Sequence, residues 1–125
     1  MHNLKELKIW NKAIDLTVET YKATANFPSE EKYGLTSQIR KSAVSIPSNI
    51  AEGAGRNSNG EFVHFLGIAN GSSYELQTQL IVSNKLQLIS DETVSPLLNQ
   101  IDEIQKMNYK FQQTINSNVG MKNMS

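Results

Sequence analysis

The stretch Ser45–Arg56, SIPSNIAEGAGR, sets a proline inside an apolar repeat and follows it with Gly-x-Gly and an arginine. It can be a phosphate-cradling loop, a turn presenting a nucleophilic serine, or the second half of a helix that stops at glycine. A dinucleotide-binding loop needs a strand before it and a third glycine at fixed spacing, and a P-loop needs Gly-Lys-Ser/Thr; neither context is present. A nucleophile at Ser45 or Ser48 needs a histidine base, and the two histidines, His2 and His64, lie in other segments. A helix remains. Ile39, Ala43, Ile46 and Ile50 step by four, three and four, and the stripe keeps its phase across Pro47. Residues Leu35–Ala54 are therefore predicted as one helix. It is expected to be kinked at Pro47, whose ring has no N–H for the Ala43 carbonyl and crowds it. Gly53 or Gly55 is expected to end it in the left-handed conformation.

Three more helical patterns flank this one. From Leu4 to Asn26, Leu7, Trp10, Ile14, Val18, Tyr21 and Ala25 recur at helical spacing and are predicted to face the core. Phe27-Pro28 ends that segment, and Gly34 permits a reversal. A third helix is predicted from Ser58, where Ser at the cap and Glu61 three residues on form a capping box. Its apolar face is Phe62, Phe65, Ala69, Ser73, Leu76 and Leu80, and it runs to about Leu88. Within it, Gly67 and Gly71 predict close approach of a neighbouring helix. The fourth is expected to open at Ser95-Pro96, proline suiting the first helical position, with Leu97, Ile101, Ile104, Met107, Phe111 and Ile115 as its stripe. No strand pattern appears. The sequence predicts an all-α protein, an antiparallel up-down four-helix bundle, with one domain over residues 1–115 and a disordered tail over 116–125.

The totals restrict function. The chain has 125 residues and no cysteine, so disulfides, thiolate metal sites and cysteine nucleophiles are excluded. Lack of cysteine fits a cytoplasmic location, and no run of about 18 apolar residues is available to span a membrane. Twelve basic residues balance twelve acidic ones, which argues against a polyanion-coating surface. Up to Gly60 the chain carries eight basic and six acidic residues, and after it four and six, so any basic patch is weak.

Chemistry-bearing constellations are scarce. Di-iron bundles repeat Glu-x-x-His on two helices; here Glu61 and His64 form one such pair with no second copy. No catalytic residue, metal, cofactor or small-molecule substrate is expected. Glu52 and Arg56 stand four apart, the spacing of a helical ion pair. Asn49, Glu52 and Glu75 lie beside apolar stripes, where polar groups need partners. They suggest a structural polar network in which Glu75 receives Arg40 or Asn49.

Several motifs in combination resemble a known family: WNKAIDL (residues 10–16), FPSE (27–30), GLTSQIR (34–40), SIPSNIAEG (45–53) and GSSYEL (71–76). The chain resembles the bacterial four-helix bundle proteins also called 23S rRNA-intervening-sequence proteins, sometimes labelled ribosomal proteins. The resemblance covers nearly all of the chain up to about Leu88 and implies the same bundle, with no enzymatic activity. The accessory variability proteins of diversity-generating retroelements are similar in fold; they form pentameric rings and bind nucleic acid. The resemblance therefore implies a homo-oligomer, a pentameric ring, that binds RNA or DNA. The basic face would carry Lys8, Lys12, Arg40, Lys41 and Arg56, repeated by symmetry to meet phosphates. The competing expectation is a protein-interaction scaffold with no nucleic-acid role.

Overall fold

The computed structural model of the chain describes the backbone of residues 2–124 and the side chains of residues 2–117. Among the described residues there are four α-helices, two single 3-10 turns and no strand. The helices are α1 (Lys8–Thr24), α2 (Leu35–Ala54), α3 (Asn59–Lys85) and α4 (Asp91–Met124). The chain is an all-α four-helix bundle. Of the expected tail, side chains from residue 118 onward and residue 125 itself lie outside the described residues.

Each helix packs on two others, α1 and α3 both lying against α2 and α4. The hydrogen bonds give the register. Thr17 reaches Ala43 while Thr24 reaches Arg40, so α1 and α2 run in opposite senses. Ser45 meets Ser72 and Gly53 lies against Phe62 and Phe65, the same relation between α2 and α3. Leu16, Ile39, Ile46, Ile50, Phe62, Leu66, Leu76, Leu80, Ile101 and Ile104 form the centre of the core. Burying each stabilises the fold by about 1.5–3 kcal/mol.

Helix α2 spans the residues expected and passes through Pro47 unbroken. The Ala43 carbonyl that Pro47 leaves without an N–H lies 3.1 Å from the Thr17 hydroxyl of α1. That hydroxyl also lies 2.8 Å from the Ala13 carbonyl, so one proton serves two acceptors. Helix α3 begins at the expected cap, with the Ser58 hydroxyl accepting from the Glu61 N–H at 3.2 Å; the return bond of a capping box, from the Ser58 N–H to the Glu61 carboxylate, is not among the hydrogen bonds of the described residues.

The helix ends depart from expectation. Helix α4 opens at Asp91, ahead of Ser95-Pro96, because the Ser90 hydroxyl accepts from the Thr93 N–H at 3.2 Å and Asp91 and Glu92 favour the positive end of the helix dipole. Pro96 is then inside the helix, where its missing N–H leaves the carbonyl of Glu92, an exposed residue, without its helical partner. Helix α3 stops at Lys85. The Gln87 N–H bonds the Asn84 carbonyl at 3.0 Å and the Leu88 N–H reaches back to the Ser83 carbonyl at 2.9 Å. This is a Schellman closure, and Gln87 supplies its left-handed residue with φ 64°.

The glycines also differ. Neither Gly53 nor Gly55 is left-handed. Gly53 lies within α2 because a Cβ there would stand 2.8 Å from Phe62 Cδ1 and 2.8 Å from Phe65 Cβ. At Gly67 and Gly71 the expected close neighbour is missing, since an added Cβ would meet nothing within 4 Å.

Helix α1 is rotated from its expected orientation. Its buried residues are Ile9, Ala13, Leu16, Thr20 and Thr24. The Thr20 hydroxyl donates to the Leu16 carbonyl at 2.7 Å and Thr24 to the Thr20 carbonyl at 2.9 Å. Such back-bonding removes the polarity that makes threonine read as a surface residue. Of the stripe expected in the core, Leu7 and Trp10 pack against it, while Ile14, Val18 and Tyr21 face outward, exposed at 37%, 47% and 41%.

Candidate functional site

The five cations expected to form a basic face have different surroundings. Lys12 on α1 pairs with Glu103 of α4 at 2.6 Å. Arg56, just past the end of α2, pairs with Glu52 at 2.7 Å, and its guanidinium lies 4.8 Å from the Phe65 ring centroid. Arg40 turns toward α1: Nε donates to Thr24 Oγ1 at 3.0 Å and Nη2 to the Tyr21 carbonyl at 3.2 Å. Its guanidinium also lies 4.6 Å from the Tyr21 ring centroid. A cation at the carbonyl end of a helix is favoured by the negative end of the dipole there, so Arg40 holds the end of α1 against α2. Lys8 and Lys41 are exposed and make no ion pair among the described residues.

The structure does not join Asn49, Glu52 and Glu75 in one network. Asn49 donates to the Ser45 carbonyl at 2.8 Å and the Ser45 hydroxyl at 3.0 Å, and Ser45 meets Ser72 of α3 at 2.8 Å. Glu52 is engaged by Arg56. Glu75 is exposed and receives neither Arg40 nor Asn49, because Arg40 points to the other side of α2. It lines a shallow groove with Gln38, Lys41, Ser45, Ser72 and Gln79. Buried polar contacts not expected from sequence lie elsewhere. Asn108 of α4 is 1% exposed and donates to the Leu66 carbonyl of α3 at 2.9 Å. Gln105 bridges Ser73 and Gln77. A lone Asn or Gln within an apolar stripe was the only signal for these pairs.

His64 is exposed beside Phe65, and no group of three or more potential metal ligands occurs among the described residues. His2 packs on Phe62 with ring centroids 4.7 Å apart. A groove of about 680 Å³ between α1 and α4 is lined by Asp15, Glu19, Lys22, Glu92, Pro96 and Gln100 among others. Its carboxylates accompany no buried base or nucleophile. Among the described residues, no helix is long and apolar enough to cross a membrane.

The feature that the bundle itself leaves unexplained is apolar and external. Ile14, Val18 and Tyr21 step by four and three along α1, while Trp10, one step further back, is half-buried and packs against the core. On α2, Val44 is 39% exposed and lies four residues after Arg40, whose guanidinium covers Tyr21. The Arg40–Tyr21 contact sets Tyr21 beside α2 and Val18 borders the groove between α1 and α4, so the exposed apolar seam runs along α1 from its α2 side to its α4 side. Such a patch, wet in a single copy, marks an interaction surface when its apolar residues are contiguous.

Comparison with known proteins bears on the fold and the family. The family model described as 23S rRNA-intervening sequence protein matches residues 5–110. A solved structure from Bacteroides thetaiotaomicron VPI-5482, described as a protein with unknown function from the S23 ribosomal protein family, is 24% identical. It superposes with a TM-score of 0.75, covering 83% of this chain and 97% of the other. No curated protein matches the chain.

Proposed function

The chain belongs to the 23S rRNA-intervening sequence protein family, and from that premise we propose that it is a non-enzymatic binding module that works as a homo-oligomer. One observation carries the reading: the apolar seam of Ile14, Val18, Tyr21 and Val44 on the outside of the folded bundle. Covering it removes apolar area from water at about 25 cal/mol per Å², and association supplies that cover without altering the core. The resemblance to ring-forming proteins sets the expected copy number at five. Light scattering of the purified chain should give five times its 14.0 kDa mass. A single-chain mass at micromolar concentration rejects the proposal.

A second reading, binding of structured RNA or DNA, draws support from Lys8 and Lys41, which are exposed and unpaired among the described residues. One neutral copy offers phosphates little attraction, and a ring repeats the two lysines. Binding of a structured RNA should fall steeply as salt rises, and Lys8→Glu should weaken it. Salt-independent binding, or none at low salt, leaves the interaction scaffold as the working function. Arg40→Glu is a poor probe because Arg40 closes the end of α1.

A further inference from the structure

The groove that Lys41 and Glu75 share between α2 and α3 holds about 350 Å³, within the size range of small-molecule sites. Such sites are mostly apolar, whereas every residue that lines this one is polar. An occupant must therefore be polar on each side. No aromatic ring lines the groove to stack a nucleobase.

The antiparallel register orders the lining. A hydrogen bond of 2.8 Å between the Ser45 and Ser72 hydroxyls closes one end. One helical turn away, Lys41 and Ser42 on α2 face Glu75 on α3, and one turn further Gln38 faces Gln79. Donors lie toward the closed end. Ser42 is 6% exposed, and its hydroxyl makes no hydrogen bond among the described residues. Ser45 and Ser72 share one bond, so one of their two protons stays unspent. Lys41 is exposed and takes no ion pair among the described residues. Acceptors stand on the α3 wall. Glu75 is exposed and takes no ion pair among the described residues. Gln79 Oε1 is shielded from water and has no donor, a costly arrangement unless something supplies one.

We infer that this groove binds a zwitterionic α-amino acid with a small polar side chain. Its carboxylate accepts from Lys41 Nζ, from the Ser42 hydroxyl and from the unspent hydroxyl of the Ser45–Ser72 pair. Its ammonium donates to the Glu75 carboxylate and to Gln79 Oε1. A plain anion would meet Glu75 and a plain cation would meet Lys41, so only a ligand carrying both charges satisfies both walls. The site is complete within one copy and rests on neither the self-association nor the RNA binding proposed above.

Titration calorimetry of the full chain tests it. L-Serine should bind one molecule per chain. Ethanolamine lacks the carboxylate and glycolate lacks the ammonium; each should bind at least about tenfold more weakly, the scale of a lost charge-assisted hydrogen bond. L-Leucine keeps both charges but sets an apolar side chain against polar walls, and should also bind more weakly. Glu75→Gln should weaken serine binding without weakening glycolate binding, and Lys41→Gln should weaken serine binding without weakening ethanolamine binding. Both positions are exposed, so the helical spectrum should not change in either variant. No serine binding at millimolar concentration, equal affinity for ethanolamine or glycolate, or serine binding that survives both substitutions overturns the site.

Discussion

A Cβ at Gly53 would stand 2.8 Å from both Phe62 Cδ1 and Phe65 Cβ, and Phe62 is 1% exposed, so α3 has little room to retreat. At Gly67 the same atom meets nothing within 4 Å. The two glycines should therefore answer one substitution with opposite signs. Gly67→Ala should stabilise the isolated bundle by about 0.5–1 kcal/mol through helix propensity. Gly53→Ala gains the same propensity but overpacks the α2–α3 contact, which costs about 1–3 kcal/mol, and should be destabilising on balance. Urea denaturation of both variants checks this; equal shifts would show that α2 and α3 do not approach as closely as the structure has them. The third residue is Gln87, at φ 64°, where a non-glycine residue bears about 1–2 kcal/mol of strain. Gln87→Gly should raise stability by about 0.5–1 kcal/mol, read from the same denaturation curves. Sequence identified the glycines but misassigned their roles: Gly53 serves a close neighbour rather than a left-handed angle, and Gly67 and Gly71 serve neither within the chain. Composition shows that a residue lacks a side chain, and only tertiary geometry shows whether that absence serves a dihedral angle, a neighbour or neither.

Among the elements, α2 shows how a proline is held inside a helix. Its period was legible because Ile39, Ala43, Ile46 and Ile50 are unambiguous apolar residues that all reach the core. The orientation of α1 was not, because two stripes at helical spacing run along it and the buried one includes Thr20 and Thr24, whose hydroxyls are turned onto their own helix. Thr17 has the corresponding task between helices, its hydroxyl 3.1 Å from the Ala43 carbonyl that Pro47 leaves free. Thr17→Val keeps the shape and removes the donor. It should cost about 1–3 kcal/mol, the range for leaving a buried carbonyl unsatisfied, since Ala43 is fully buried. In a Pro47→Ala background the restored N–H at position 47 supplies the missing bond, and Thr17→Val should then cost less. A double-mutant cycle measures the difference. Equal costs in both backgrounds would mean that the hydroxyl serves only the Ala13 carbonyl of its own helix.

For the whole molecule, fold and family were legible early because the stripes and the motif combination extend over most of the chain. The candidate site was not, because a surface is defined by what remains uncovered after the core is chosen, and the choice of core on α1 was the element misread. Lys12 was read as a free charge for the same reason: its partner Glu103 becomes visible only once helix faces are fixed, and Arg40, expected to reach Glu75, turns to Tyr21 instead, whereas the Glu52–Arg56 pair was legible from its four-residue spacing. This bears on nucleic-acid binding. The chain has equal numbers of basic and acidic residues, so an attraction to phosphate must come from repetition, and repetition requires assembly. The neutral double variant Ile14→Asn, Val18→Asn alters the apolar seam without touching any charge. Because both positions are exposed, it should change stability by no more than about 0.5 kcal/mol. It should nevertheless lose both the oligomer and the affinity for structured RNA at low salt, where electrostatic binding is strongest. Sedimentation and an RNA titration on the same sample separate the outcomes. Loss of assembly together with loss of binding ties the two. A single-chain species that binds RNA as tightly as the unmodified protein would place recognition within one copy, on a surface that symmetry does not multiply.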